Sequence, residues 1–284
     1  IKNKNYNKDK NMFKSIFENV KIKHPLVQNI TNYVTINDCA NIILACGGSP
    51  IMAEDENEVS EIASICNGLN INAGNLDDST VRAMIISGKK ANEINNPIVL
   101  DPVGAGASKL RAQTNLKLLN EIKFSVIRAN ASEIKSLASG NMSTKGVDAS
   151  ESDKITEYNL DETIKFVKSF AEKTNSVIAM TGAIDIVSDN QKTYIIRNGH
   201  SMMATVTGTG CQLSAMTAAF ISANPSRILE SAAASVCAMG LAGEIAYNRL
   251  TKLDGNSSYR NYIIDAIYNL TPEELDKGAK YEIR

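Results

Sequence analysis

The chain has 284 residues, of which 30 are Lys or Arg and 31 are Asp or Glu, so its formal net charge is -1. This balance argues against a nucleic-acid-binding protein, because contacts to phosphate backbones need a strongly cationic surface. With 43% hydrophobic residues, 5% aromatic residues and no Trp, the sequence predicts a large core of aliphatic and small side chains.

Short apolar runs alternate with longer helical patterns along the first 180 residues. Several runs, such as Ile98–Leu100, are apolar without interruption, which is typical of parallel strands covered on both faces. We predict strands at 26–30, 50–53, 69–73, 98–100, 125–128 and 177–180, and helices at 36–46, 57–66, 78–94, 112–121, 131–138 and 161–174. The repeated strand–helix order indicates an α/β fold with a doubly wound, mostly parallel sheet and helices on both of its faces.

Two segments depart from this alternation. Residues 141–159 are polar and are predicted to form a loop. The segments 183–188 and 193–197 flank a polar turn and predict an antiparallel hairpin at one edge of the sheet.

After the hairpin, the sequence predicts only helices. Two of them cover 210–223 and 227–249, and the last begins at Pro272, where Thr271 and Glu274 match a capping box. The sequence shows no linker, internal repeat or low-complexity block. We therefore predict one domain over residues 1–284.

The cysteine pattern and the apolar stretches bear on the compartment. The five cysteines are odd in number and include no C-x-x-C pair, which argues against a disulfide framework and against a zinc site. The uncharged stretch Ser231–Gly243 has 13 residues and is too short to span a bilayer. We expect a soluble, cytoplasmic protein without membrane partners.

The first candidate site lies at the start of the helix predicted at 210–223. Gly208 and Gly210 allow backbone N–H groups to converge there, and the positive end of a helix favours an anion such as a phosphoryl group. A plain turn is the alternative interpretation of the two glycines. Cys211, in the first helical turn, is either a base or nucleophile with a lowered pKa or a small buried side chain.

Three further candidate positions lie at the ends of predicted strands, where open α/β sheets bind their ligands. Asp101 comes directly after one strand and is either a Mg²⁺ ligand or a turn residue. Arg128 ends the next strand and is suited to a nucleotide phosphate. Glu133 is a candidate to support a metal or to form a capping box with Asn130, and the two roles do not exclude each other. Thr181 ends a later strand, where its hydroxyl could reach a phosphate.

Six motifs occur in the order seen in one known family, and the resemblance runs from about His24 to Ala223, which is most of the chain, and on through the helical end. They are Asn29-Ile30-Thr31-Asn32, Gly48-Ser49-Pro50-Ile51-Met52, Asn72-Ala73-Gly74, Leu100-Asp101-Pro102-Val103-Gly104, Arg128-Ala129-Asn130 and Gly208-Thr209-Gly210-Cys211. In these motifs the chain resembles hydroxyethylthiazole kinases. The resemblance implies a ribokinase-like three-layer sandwich and phosphorylation of the hydroxyethyl group of 4-methyl-5-(2-hydroxyethyl)thiazole by ATP and Mg²⁺, in thiamine salvage.

The resemblance also assigns roles to individual residues. Four of them would contact or adjoin the thiazole: Met52, Gly208, Asn32 and Gly74. Four others would serve the nucleotide and the metal: Arg128 and Thr181 for ATP, Asp101 and Glu133 for Mg²⁺. Gly208, Thr209, Gly210 and Cys211 would form the anion hole for the transferred phosphoryl group, with Cys211 where ribokinase relatives usually carry a catalytic Asp. The resemblance further implies a homotrimer with the thiazole pocket at the subunit interface.

The same residues are compatible with other functions. One alternative keeps the fold but is a hydroxymethylpyrimidine kinase. A second is a nucleotide-dependent dehydratase of a hydrated nicotinamide cofactor, which needs a pocket wide enough for a dinucleotide, whereas the short Asn29–Asn32 loop and Met52 favour a small aromatic guest. Another is a non-catalytic nucleotide or thiazole sensor, against which the paired Asp101 and Glu133 argue. A dehydrogenase is a more distant possibility, because Gly104-Ala105-Gly106 lacks the remaining glycine of a dinucleotide fingerprint.

Overall fold

A computed structural model describes residues 11–140 and 155–284 of the chain. Within these residues, eleven α-helices and nine strands alternate along most of the chain. The strands are β1 Leu26–Ile30, β2 Ser49–Ile51, β3 Gly68–Asn72, β4 Ile98–Asp101, β5 Val126–Asn130, β6 Val177–Thr181, β7 Asp185–Ser188, β8 Thr193–Ile196 and β9 Tyr281–Ile283. The helices are α1 Met12–Lys23, α2 Ile36–Cys46, α3 Val59–Ile65, α4 Asp78–Glu93, α5 Lys109–Glu121, α6 Ala131–Ser139, α7 Leu160–Thr174, α8 Thr209–Ala223, α9 Ile228–Arg249, α10 Asn256–Asn269 and α11 Pro272–Gly278.

All nine strands belong to one sheet with the order β2-β1-β3-β4-β5-β6-β7-β8-β9. The first six strands are parallel to their neighbours, and the last three add antiparallel pairs. The central parallel strands are buried along nearly their whole length, which is why they read as continuous apolar runs. The mostly parallel sheet predicted from the sequence is confirmed.

Two apolar cores lie on opposite faces of the sheet and make three layers. One core joins the sheet to α1, α2 and α8–α11, and the other joins it to α3–α7. The first is rich in small residues, such as Ala218 and Ala219 of α8 and Ala232–Ala234 of α9, all fully buried. Small side chains at this density let helices approach one another closely, and α8 and α9 are in extensive contact.

The predicted elements agree with the structure, with the largest shift at the start of α5, predicted at residue 112 and observed at Lys109. The prediction that the chain is wholly helical after the hairpin is wrong at its end, because β9 pairs with β8 and lies outside the hairpin. A three-residue strand carries too little local pattern to be seen in the sequence. Helix α1 was not predicted, and α10 was predicted only as part of the helical segment after the hairpin. The first part of the predicted 141–159 loop, residues 141–154, lies outside the described residues.

Helix α9 is long and apolar enough, by length and composition, to cross a membrane. In the structure 72% of its most apolar window is buried. It packs against α8, α10 and the strands β6 and β7. Here α9 is a central helix of the core, and its apolar surface is covered by the protein.

Candidate active site

The candidate residues gather at the carboxyl edge of the parallel strands. The register places Asn72, the last residue of β3, opposite Asp101, the last residue of β4. It likewise places Asn130 of β5 opposite Thr181 of β6. Because these strands are parallel, their polar ends meet at one edge, where α8 also begins.

Asp101 is the most buried acidic residue of this edge, with 1% of its surface exposed. Its Oδ2 accepts hydrogen bonds from Asn72 Nδ2 at 2.9 Å and from Ser214 Oγ at 2.8 Å. Its Oδ1 has no hydrogen-bond partner among the described residues, and it lies 3.7 Å from Arg128 Nη1. Burial raises the pKa of Asp101, although Arg128 and the two hydrogen bonds act in the opposite direction.

Glu133 lies beside Asp101 at the start of α6. Its Oε2 accepts from the backbone N–H of Asn130 and its Oε1 from that of Gly104 at 2.7 Å. Asn130 in turn caps the helix, so the predicted capping box is present. Burial, followed by the charge of Asp101, raises the pKa of Glu133 to about 7. Two adjacent buried carboxylates therefore resist ionisation in the absence of a cation.

These carboxylates fit a magnesium ion. Mg²⁺ is usually held by one or two carboxylates together with waters and substrate phosphates, and does not need an all-protein cage. Asp101 offers an unpartnered oxygen, whereas both oxygens of Glu133 already accept backbone hydrogen bonds. No group of three or more potential ligands occurs in the described parts of the chain. The donor set suits an ion that phosphate oxygens help to bind.

The raised pKa of Glu133 has a consequence for stability. The folded state retains a proton that the unfolded chain releases near pH 4.5, so this residue destabilises the fold progressively as the pH rises from about 4.5 to about 7. In Glu133→Gln that cost is absent. We expect the unfolding free energy of the variant to improve, relative to the wild type, by about 2 kcal/mol between pH 5.5 and pH 8, in urea titrations without Mg²⁺. The hydrogen bond that the variant loses is independent of pH and cancels; a constant difference would contradict the assignment.

The chain makes a tight turn at Gly208, directly before α8. Gly208 has a φ of +85°, and a Cβ there would lie 2.3 Å from Thr35 Cγ2, so only glycine fits without strain. No side chain caps α8. The N–H groups of its first turn, in Thr209, Gly210 and Cys211, therefore have no acceptor within the helix and are available to an anion.

Arg128 lies directly over this turn. A Cβ on Gly210 would be 2.4 Å from Arg128 Nη1, so the missing side chain makes room for the guanidinium group. Arg128 Nη2 donates to Thr181 Oγ1 at 2.8 Å, which joins the two predicted ATP-binding residues. The guanidinium and the helix terminus together make a positive site adjoining the carboxylates of Asp101 and Glu133.

Cys211 faces the same centre, with 9% of its surface exposed. Burial raises the pKa of its thiol, and the charge of Asp101 raises it further, while hydrogen bonds and Arg128 oppose the shift. The alternative of a lowered pKa is therefore wrong, because burial outweighs the position at the helix terminus. Cys39, Cys46, Cys66 and Cys237 are buried core residues, and all five cysteines are free.

The three other residues assigned to the substrate have distinct surroundings. Asn32 is 6% exposed, and its Nδ2 lies 3.3 Å from Cys211 Sγ. A Cβ on Gly74 would be 2.6 Å from Asn32 Cβ, so Gly74 leaves room for that side chain. Met52 directly follows β2 at the same edge and packs partly buried against the core that contains α8.

Three residues of this centre, Asn72, Ser214 and Arg111, were given no role from the sequence. Asn72 is a strand-end residue like Asp101, and Ser214 is one helical turn after Cys211, so both had a signal that could have been used. Arg111 had none: its guanidinium donates to the carbonyls of Ala73, Gly74 and Val103, at 2.8 to 2.9 Å, and thereby ties together the loops after β3 and β4.

A cleft of about 550 Å³ lies elsewhere, at the amino ends of β4, β5 and β6. Polar side chains that line it are engaged with nearby backbone: Asn96 donates to the carbonyl of Cys66, and Ser176 to that of Phe124. Its size alone does not make it the reaction centre. The convergence of Asp101, Glu133, Arg128 and the start of α8 identifies the opposite edge as the chemically equipped one.

Comparison with known proteins gives a consistent result. The sequence profile of the Hydroxyethylthiazole kinase family matches residues 17–273. The hydroxyethylthiazole kinase of Clostridium acetobutylicum is 61% identical over 271 residues, covering 95% of this chain and 99% of that protein. The solved hydroxyethylthiazole kinase of Pyrococcus horikoshii OT3 is 33% identical and superposes with a TM-score of 0.85, over 96% of this chain and 98% of that one.

A more distant structure supports the fold. The pyridoxal kinase of Staphylococcus aureus, solved in complex with ADP, superposes with a TM-score of 0.56 at 15% identity, over 81% of this chain and 90% of that chain. At that identity the likeness concerns architecture, and it agrees with the ribokinase-like three-layer sandwich. The family profile and the high-identity relative each span most of the sequence. The chain belongs to the hydroxyethylthiazole kinase family.

Proposed function

We propose that residues 1–284 act as one kinase domain that transfers the γ-phosphoryl group of ATP to the hydroxyl of 4-methyl-5-(2-hydroxyethyl)thiazole, in thiamine salvage. The observation that carries the proposal is the placement of the Arg128 guanidinium over the uncapped start of α8, beside the paired carboxylates of Asp101 and Glu133. Phosphoryl transfer depends mainly on positioning and on stabilising charge, and this arrangement offers both.

In the proposed reaction the alcohol oxygen attacks the γ-phosphorus, the bond from phosphorus to the β–γ bridging oxygen breaks, and ADP leaves. The N–H groups at the start of α8 and the guanidinium of Arg128 stabilise charge on the transferred group. Thr181 holds Arg128 in place through its hydroxyl. Asp101, supported by Glu133, would hold Mg²⁺, which would supply further neutralisation of phosphate charge.

Cys211 orients the alcohol in this proposal. Its thiol is protonated at neutral pH, because burial raises the pKa, so it is poorly suited to remove a proton early. In a loose transition state the alcohol loses its proton late, and an oxygen of the transferred phosphoryl group can accept it. The sulfur then serves to fix the direction of the attacking hydroxyl, with Met52, Gly208, Asn32 and Gly74 around the thiazole.

Exchange of Cys211 tests this assignment. Cys211→Ser keeps a small hydrogen-bonding group, so we expect kcat to fall by about tenfold or less, which is below the effect typical of a general base. Cys211→Asp supplies a carboxylate beside the attacking alcohol and is expected to retain or raise kcat. The measurement is the steady-state rate of thiazole phosphorylation at saturating Mg-ATP. A loss of about four orders of magnitude in Cys211→Ser would instead require an essential thiolate.

The proposed reaction itself is tested by ADP release from Mg-ATP, with and without the thiazole alcohol. We expect release only when both the alcohol and Mg²⁺ are present. Hydroxymethylpyrimidine, supplied in place of the thiazole, distinguishes a pyrimidine kinase from a thiazole kinase. A lack of thiazole-dependent ADP release from folded protein would exclude the proposed function and favour the dehydratase or the sensor.

We also propose that the chain forms a homotrimer in the cytoplasm, with the thiazole pocket at the subunit interface. Tyr33 and Val34, directly after Asn32, are 59% and 73% exposed. Exposed apolar side chains beside a site are typical of surfaces that another subunit covers. The free, buried cysteines suit a reducing compartment. Light scattering of the purified protein measures the number of subunits.

A further inference from the structure

Asn72 is a fully buried amide at the end of β3, with no exposed surface. Its Nδ2 donates to Asp101 Oδ2 at 2.9 Å. Its Oδ1 accepts two hydrogen bonds, from the backbone N–H of Gly74 at 3.0 Å and from Asn32 Nδ2 at 3.1 Å. The proposed reaction assigns no role to this side chain, although it contacts a carboxylate of the centre.

The orientations of both amides are fixed by backbone groups. A backbone N–H can only donate, so the atom of Asn72 that faces Gly74 must be its oxygen, and its nitrogen must face Asp101. In the same way, the N–H of Thr35 donates to Asn32 Oδ1 at 3.1 Å. Both hydrogens of Asn32 Nδ2 are then directed to Asn72 Oδ1 and to Cys211 Sγ.

The result is an unbroken hydrogen-bonded chain from Asp101 through Asn72 and Asn32 to Cys211. Ser214 supplies the second hydrogen bond to Asp101 Oδ2, so that Oδ1 is left facing Arg128. Asn32 uses its Oδ1 and both of its Nδ2 hydrogens in these contacts, so it has no hydrogen left to donate to a substrate. The chain is complete within this protein and needs no ligand to hold it together.

We propose that Asn72 is a positioning residue, which holds the Asp101 carboxylate and, through Asn32, the Cys211 thiol in one fixed arrangement at the phosphoryl-transfer centre. The inference rests on the proposed kinase function and deepens it. It also accounts for the glycine in Asn72-Ala73-Gly74, since a Cβ on Gly74 would be 2.8 Å from Asn72 Oδ1. Larger side chains at position 74 would push the two amides apart.

Asn70 provides a matched control for Asn72. It lies two residues earlier on β3, on the same face, and is equally buried. It also donates to another asparagine, with its Nδ2 3.1 Å from Asn29 Oδ1. No hydrogen bond described for Asn70 reaches Asp101 or Cys211. Asn70→Ala therefore removes the same amide group as Asn72→Ala but leaves the hydrogen bonds of Asp101 and Cys211 in place.

The first arm of the test compares Asn72→Ala with Asn70→Ala in the thiazole-dependent reaction. We expect Asn72→Ala to lower kcat by about 30-fold, less than the roughly 100-fold cost of a 1 Å misplacement, because Ser214 still holds Asp101. The KM for ATP should stay within about threefold, because the bond between Arg128 and Thr181 is untouched. Asn70→Ala should leave kcat within about twofold of the wild type. Equal losses in the two variants would overturn the proposal.

The second arm does not depend on turnover. N-ethylmaleimide is added to the protein without substrates, and modification of Cys211 is followed by mass spectrometry of its peptide. We expect faster modification in Asn72→Ala than in the wild type or Asn70→Ala, by about threefold or more, because the thiol loses its fixed donor. An unchanged rate in Asn72→Ala overturns the proposal.

Two provisions keep the result interpretable. If Asn72→Ala does not fold, Asn72→Ser replaces it, since its hydroxyl is too short to bridge Asp101 and Asn32, and the same outcomes are expected. If the wild type shows no thiazole-dependent ADP release, the proposed function has failed. The maleimide arm then still decides whether Asn72 fixes the thiol.

Discussion

Replacing Asp101 by Ala is expected to lower kcat by about 10³-fold, the scale of losing a preorganised electrostatic group at a reaction centre. Asp101 is the acidic residue whose buried oxygen has no hydrogen-bond partner in the described structure, and that oxygen faces Arg128. Burial disfavours the ionised form of this carboxylate and raises its pKa. A charge kept at such a cost is useful only if a cation or a developing charge compensates it.

The measurement is the steady-state rate of thiazole phosphorylation as a function of Mg²⁺ concentration. Asp101→Asn keeps the volume and an acceptor for Asn72 and Ser214 but removes the charge, so we expect a similar loss together with a higher Mg²⁺ requirement. Glu244→Gln is a suitable control, because Glu244 accepts hydrogen bonds from Asn198, Gly199 and Lys280 away from the centre. Full activity in Asp101→Asn would remove Asp101 from the reaction.

Much of this centre could be predicted from the sequence, because strand ends are local features. Asp101 and Arg128 each terminate an apolar run, and the carboxyl edge of a parallel sheet collects such residues. The glycines before Cys211 are likewise visible in the sequence. The strand order was not predicted, yet it is what brings Asn72 next to Asp101 and Asn130 next to Thr181.

Other features depend on contacts between distant segments and had no local signal. Ser214 reaches Asp101 only because α8 packs on β3 and β4. The position of Cys211 at a helix terminus suggested a lowered pKa as one possibility, and the surrounding side chains reversed the direction through burial. A position in the sequence indicates which chemistry is available, but the packing decides the protonation state.

The second large effect is expected from Gly210→Ala. Position 210 lies in the first turn of α8, where alanine favours the helix by about 1 kcal/mol over glycine, so the fold itself should not suffer. The new Cβ, however, would lie 2.4 Å from Arg128 Nη1 and 2.6 Å from Nη2. The guanidinium is the end of a flexible side chain, so it moves away and gives up its bond to Thr181. We expect kcat to fall by about 100-fold, and the KM for ATP to rise.

Kinetics and thermal unfolding of Gly210→Ala and three further variants distinguish this displacement from a general folding defect. Gly255→Ala is the control, because a Cβ there meets nothing within 4 Å, and it should keep wild-type kcat. Arg128→Ala removes the guanidinium outright, and the double variant with Gly210→Ala should be scarcely worse than Arg128→Ala alone, because both changes remove the same interaction. Additive losses would mean that Gly210 acts on the helix terminus independently of Arg128. If Gly210→Ala loses activity but keeps its unfolding temperature, the space above the start of α8 must stay free for the guanidinium of Arg128.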